Sequence, residues 1–178
     1  LLERGVDPRT VVAVTFTNAE GPLKERMSYS AHMPSLSFEG ETHGEIVVKV
    51  NVPEVLRAEL DRPSWKREQV ALGTNTDPYQ WVESRYKLMP EIWQALLDAD
   101  TPCSLVTKSP LVLRDLDILA PLARVAKVRI FFTITTVDLD IWRTIEPGTA
   151  NPFKRLEAMR RLNQAGVPAG ILLAPILP

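Results

Sequence analysis

V-A-L-G-T-N-T-D-P-Y-Q, residues 70 to 80, opens as an apolar, β-prone run and breaks at Gly73 into a polar tail. Val70 to Gly73 has the length of a buried strand, and the glycine followed by Thr74, Asn75, Thr76, Asp77 and Pro78 has the composition of a turn. The same change recurs on either side. Ile46 to Val50, Ser104 to Thr107, Val128 to Thr136 and Gly170 to Pro175 are the other strand-like runs, and the second and third of these close in Thr107-Lys108-Ser109 and in Thr133-Ile134-Thr135-Thr136. Helical periods fill the intervals at Pro53 to Leu60, Glu83 to Ala99, Leu111 to Val125 and Pro152 to Ala165. Strands alternating with helices build a parallel sheet through βα units. The expected fold class is therefore α/β, a partial (β/α) barrel with parallel strands. At 178 residues the chain falls short of the roughly 250 of a complete eight-stranded barrel. It stops at Pro178, just after a strand that no helix covers, which reads as truncation of a longer fold.

The helix over Pro152 to Ala165 places Leu156, Met159 and Leu162 at three-residue spacing, with Lys154, Arg155, Arg160 and Arg161 largely elsewhere. This predicts one buried stripe under a basic surface, ended by Gly166. Pro90 falls inside Glu83 to Ala99 and predicts a kink or a split there, the split being favoured, because a proline inside a helix lacks the donor the ladder needs, unless it sits in the first turn of the helix proper. Ser28 to Gly44 has neither helical nor strand period and reads as a loop or linker.

Composition limits the functional classes. Lys and Arg number 21 against 22 Asp and Glu, so no global basic field points to nucleic acid. The one cysteine, Cys103, excludes an internal disulfide and a cysteine-rich metal knuckle, and its simplest role is that of a small buried hydrophobe. His32 and His43 read as loop residues, and no metal ligands are assigned. No apolar run approaches the length of a membrane span, and Leu1 to Gly5 lacks the layout of a signal peptide, so a soluble, cytoplasmic protein is expected.

In parallel βα folds the chemistry lies beyond the carboxyl ends of the strands. The tails after residues 73, 107 and 133 converge on one such rim, where hydroxyls, an amide, a carboxylate and an ammonium suit a small polar ligand with an amino-acid or ribose portion. A plainer reading stands beside this one. Thr, Asn and Asp after a strand also cap the next helix, and Asn75 to Pro78 has the make-up of a simple turn. Lys108 fits the plainer reading least well, since an ammonium at the mouth of an apolar strand needs an anion or water.

At these clusters a family resemblance becomes visible. V-A-L-G-T-N-T-D-P-Y-Q (Val70 to Gln80), L-V-T-K-S (Leu105 to Ser109), T-I-T-T (Thr133 to Thr136), I-E-P-G-T (Ile145 to Thr149) and R-L-E-A-M-R-R-L-N-Q-A-G-V-P-A-G-I-L-L-A-P-I (Arg155 to Ile176) resemble, in order and spacing, the spore photoproduct lyase-like branch of radical S-adenosylmethionine (SAM) proteins. The likeness runs from about residue 45 to 178. It implies a partial barrel that binds SAM against a four-iron four-sulfur cluster, one electron from which cleaves SAM to a radical that abstracts a substrate hydrogen. By position it implies cofactor contacts at Thr76, Asp77, Lys108, Thr133 and Thr135. Lys108 matches the lysine that reaches the methionine portion of SAM, while Glu146 and Arg155 fall at motif positions that line or support the rim. A nucleic-acid substrate is implied by the resemblance alone.

Two departures from the family pattern bear on activity. Relatives carry C-x-x-x-C-x-x-C before the Ile46 strand, and Ser28 to Gly44 contains no cysteine, so the chain is expected not to assemble the cluster. Thr74 stands where the photoproduct lyases have a hydrogen-donating cysteine, and a threonine O–H bond is too strong for that step. Leu1 to Met27 resembles another family, the segment after the phosphate loop of superfamily I DNA helicases, where T-F-T-N follows a strand. It lacks G-x-x-x-x-G-K-[ST], so no ATPase follows. The expected organisation is a helicase-like piece over residues 1–27, with Val11 to Thr17 serving as a first strand, a linker over 28–44, and a partial radical SAM barrel over 45–178. Competing readings are a nucleic-acid-binding module using Trp65, Tyr79, Trp81 and Trp142 with the basic last helix, a nucleotide binder, for which no glycine-rich loop exists, and a non-catalytic fragment.

Overall fold

A computed structural model describes residues 12–14, 25–28, 45–74 and 76–173, with side chains from residue 48 onward. The strands are β1 (Val12–Val14), β2 (Glu25–Ser28), β3 (Glu45–Val48), β4 (Val70–Leu72), β5 (Cys103–Thr107), β6 (Val128–Thr133) and β7 (Ala169–Leu172). The helices are α1 (Val52–Leu60), α2 (Glu83–Tyr86), α3 (Leu88–Asp98), α4 (Leu116–Val125), α5 (Leu139–Ile145) and α6 (Pro152–Gln164), with a 3-10 turn over Pro110–Asp115 leading into α4.

Five strands form one sheet in the order β1-β4-β5-β6-β7, every pairing parallel. From β4 onward each neighbour is also the next strand of that sheet in the chain, as successive βα units require. The fold is the expected α/β partial barrel. One expected member is placed differently: the run from Ile46 lies in β3, which pairs antiparallel with β2 in a separate two-stranded sheet. Strand periodicity reports that a run is extended but not which partner it takes, and here the first parallel neighbour of β4 is Val12–Val14. His32, His43, Asn75, Pro175 and most of residues 1–44 lie outside the described residues.

Strand alternation separates two faces of the sheet. Cys103, Leu105 and Thr107 of β5 lie in register with Val128, Ile130 and Phe132 of β6, and all six are buried. Leu56 of α1, Ile92, Trp93 and Leu96 of α3, Leu119 and Leu122 of α4, and Ala158 and Leu162 of α6 join the same core, so the helices cover this face. Ser104, Val106, Phe131 and Thr133 belong to the opposite, half-buried face.

Helix boundaries follow local chemistry. Glu83 to Ala99 splits, but at Lys87, whose left-handed backbone (φ 53°) divides α2 from α3. Pro90 lies in the first turn of α3, where its missing N–H would have had no helical acceptor. The buried Glu83 carboxylate accepts from Leu88 N (3.0 Å) and Met89 N (3.1 Å), closing the positive end of α3. The basic surface expected on α6 is corrected at one position. Pro152, Arg155, Ala158 and Leu162 are buried, and Arg155 is only 1% exposed, whereas Leu156 and Met159 are half-buried. The buried stripe is turned toward Arg155 because polar acceptors await it at the sheet rim.

Candidate functional site

The site is the rim formed by the carboxyl ends of β4, β5 and β6. Gly73 starts it. Its φ of +78° suits glycine, and a Cβ there would lie 2.1 Å from the Val106 carbonyl oxygen, so only a residue without a side chain lets the chain turn against β5. The turn carries Thr76 and Asp77 back over the end of β5. Asp77 Oδ1 accepts from Thr107 Oγ1 (2.7 Å) and Tyr79 N (2.9 Å), and its Oδ2 from Lys108 N (2.7 Å) and Thr107 Oγ1 (2.9 Å). The carboxylate is thereby a clasp between two strand ends, held by charge-assisted bonds.

A second, buried network anchors the far side of that turn. Tyr79 O–H donates to Asp115 Oδ2 (2.6 Å) and accepts from Trp93 Nε1 (2.7 Å), while Arg114 bonds both Asp115 and Glu83 at 2.7 Å. Burial, reinforced by the Asp115 charge and hydrogen bond, holds the Tyr79 phenol well above its ordinary pKa. Trp93 is a core residue, and Tyr79, 2% exposed, does not form a stacking surface.

The sequence-assigned residues fall at one end of the sheet. Lys108 directly follows β5, and because Thr107 pairs with Phe132, Lys108 and Thr133 are adjacent on neighbouring strands. Thr76 adjoins Asp77, whose carboxylate binds the Lys108 amide. Thr135 lies two residues past β6 and is half-buried. Thr76 Oγ1 is buried and has no hydrogen-bond partner among the described residues. An orphaned hydroxyl at a rim of polar side chains is the feature a ligand acceptor or donor would satisfy.

Glu146 and Arg155 complete the rim, beyond the residues that sequence assigned to cofactor binding. Arg155 Nε donates to Ala150 O and its Nη1 to Thr133 O, both at 2.7 Å; Nη2 bonds Glu146 Oε2 at 2.7 Å and also Thr149 Oγ1. Lys108 Nζ lies 2.8 Å from Glu146 Oε1. Burial would push the Glu146 carboxyl upward, but the Lys108 and Arg155 hydrogen bonds and charges together hold it below the ordinary carboxylate range. The readable signal was an acid and an arginine nine residues apart across a turn rich in Pro, Gly and Thr.

These residues suit a small zwitterionic ligand but not an iron-sulfur cluster. The chain supplies one thiol, Cys103, which opens β5 at the end of the sheet opposite the rim and is 1% exposed. Burial pushes that thiol up to about 12, away from the thiolate a cluster requires. Among the described residues, no group of three or more His, Cys, Asp or Glu is placed to hold a metal ion, and no helix is long and apolar enough to cross a membrane.

Known proteins resemble this chain in sequence or in fold. An uncharacterized protein of Mycobacterium tuberculosis is 46% identical over 134 residues, 75% of this chain and 39% of that protein. One from Methanocaldococcus jannaschii is 26% identical over 133 residues, 75% of this chain and 48% of its own length. The chain thus spans less than half of these curated relatives. No protein-family model matches it. Among solved structures, a spore photoproduct lyase mutant aligns at a TM-score of 0.59 and 17% identity, covering 93% of this chain and 51% of that one. A spore photoproduct lyase complexed with dinucleoside spore photoproduct aligns at 0.56 and 20%, covering 74% and 37%. At such identities the likeness shows a shared fold.

Proposed function

We propose that the rim of β4, β5 and β6 binds S-adenosylmethionine, in a chain related to the spore photoproduct lyase-like branch of radical SAM proteins. The observation that carries this reading is the buried Thr76 hydroxyl, unpartnered among the described residues, on the same rim as the half-exposed Lys108 ammonium. In this reading Lys108 takes the ligand carboxylate, while Thr76, Thr133 and Thr135 meet its hydroxyl or amine groups. Asp77 acts through the clasp it makes. In the family a four-iron four-sulfur cluster supplies the electron that cleaves SAM. The residues present here do not fit that cluster, so SAM binding without radical cleavage is the activity assigned.

Residues 1–27 are read as a helicase-like piece whose Val12–Val14 takes the first-strand position, 28–44 as a linker and 45–178 as the barrel portion. The spore photoproduct lyase neighbour bound to a dinucleoside supports nucleic acid as the substrate class of full-length relatives.

Calorimetric titration with SAM tests the proposal. Saturable heat is expected, with Lys108→Ala weakening binding by roughly tenfold or more, the scale of one hydrogen bond to a charged group. Equal heats for the two proteins would remove Lys108 from the site. Anaerobic treatment with iron and sulfide should leave little visible absorption; a stoichiometric cluster would show that ligands other than cysteine suffice.

A further inference from the structure

Glu146 is 9% exposed, and its two oxygens face very different partners. Oε2 meets Arg155, itself 1% exposed and fixed by Thr133 O, Ala150 O and Thr149 Oγ1. Thr149 Oγ1 is in turn held, donating to Glu146 O (2.9 Å) and accepting from Trp142 Nε1 (3.2 Å). Oε1 meets Lys108, whose side chain is 38% exposed on a flexible four-carbon stem. Order therefore passes from the buried guanidinium through the carboxylate to the ammonium. We propose that Glu146 is a positioning residue, which holds the Lys108 ammonium at the junction of β5 and β6; this rests on the reading of Lys108 as the ligand contact.

Two consequences follow from donor and charge inventory. An ammonium has three N–H donors, and Glu146 takes one, leaving the others for an incoming acceptor. Arg155 and Lys108 stand against the carboxylates of Glu146 and of Asp77, which binds the Lys108 amide, so the charges balance and the Lys108 ammonium is the exposed cationic point among them. The plain alternative is that Glu146 only neutralises buried Arg155. Glu146→Asp separates the two roles: it keeps a carboxylate beside Arg155 but is one methylene, roughly 1.5 Å, too short to bridge to Lys108 as well.

The test is Lys108 acetylation by acetic anhydride, followed by mass spectrometry of the folded protein, with SAM calorimetry on wild type, Glu146→Asp and Glu146→Gln. Glu146→Asp is expected to melt near wild type, to label at Lys108 roughly tenfold faster, and to bind SAM roughly tenfold more weakly, the effect of losing one charge-assisted hydrogen bond. It carries the test even where Glu146→Gln, which strands Arg155, does not fold. Wild-type labelling and affinity in Glu146→Asp would overturn the proposal and leave Glu146 a charge partner only. Faster labelling with no SAM heat in any form, wild type included, would support the positioning role while refuting the ligand reading.

Discussion

Replacing Arg155 by methionine should destabilise the protein far more than a basic residue on a helix ordinarily would. The guanidinium is 1% exposed and donates to two backbone carbonyls, a carboxylate and a hydroxyl. Methionine fills much of the volume but leaves Thr133 O and Ala150 O without that donor and Glu146, 9% exposed, without its buried counter-ion. Breaking one side of a buried ion pair costs about 3–5 kcal/mol. At about 2–4 °C per kcal/mol for a chain of this size, the Tm should fall by roughly 6–20 °C. Arg160 serves as the control, since its pair with Glu157 on the same helix is solvent-exposed, and Arg160→Met should leave the melt unchanged within error. Thermal unfolding followed by circular dichroism, with urea titration as a second measure, reads both variants. Equal melting of Arg155→Met and wild type would refute the buried network and restore Arg155 to the basic surface of α6.

Other outcomes follow from the same geometry. Gly73→Ala should destabilise by about 3 kcal/mol or more in urea unfolding, because it combines a positive φ with a Cβ 2.1 Å from the Val106 carbonyl; a change under about 1 kcal/mol would place the turn elsewhere. Glu146 has a depressed carboxyl pKa in the folded protein, so its contribution to stability is fully present above its unfolded value, near 4.5, and is lost as pH falls through the lower folded value. Unfolding free energy measured from pH 6 down to 2 should therefore decline less steeply in Glu146→Gln than in wild type; parallel profiles would contradict the shift. Cys103 should react with a thiol reagent only after denaturant is added, because burial raises its pKa to about 12. Rapid native labelling would mean that the start of β5 opens.

Much of the fold was legible because periodicity reports burial, and burial dictates layer. Val70, Leu105 and Ile130 are apolar residues of strands covered by helices, and each run ends where a polar tail begins. Partner choice was not legible: the run at Ile46 is strand, yet it pairs with β2 outside the parallel sheet, an outcome that local pattern does not encode. Helical spacing misplaced Arg155 for a related reason, although the family resemblance had set it among the rim-supporting positions where it lies. Helical spacing assigns a charged residue outward by default, and only the carbonyls of Thr133 and Ala150, distant in sequence or lying in a turn, make an inward position favourable. Strand-end position placed Lys108 and Thr76 on a common rim, and the family resemblance added the expectation that they contact a ligand. The role of Asp77 as a clasp depended on Thr107, a neighbour thirty residues away that no spacing rule connects to it.

The most direct test is an amide correlation spectrum of the 15N-labelled protein recorded through a SAM titration. Saturable shifts clustered at residues 76, 108, 133 and 149, absent or right-shifted in concentration for Lys108→Ala, are the expected result. Shifts confined to the amino-terminal ends of β4, β5 and β6, or none at any concentration, would contradict a SAM site at this rim.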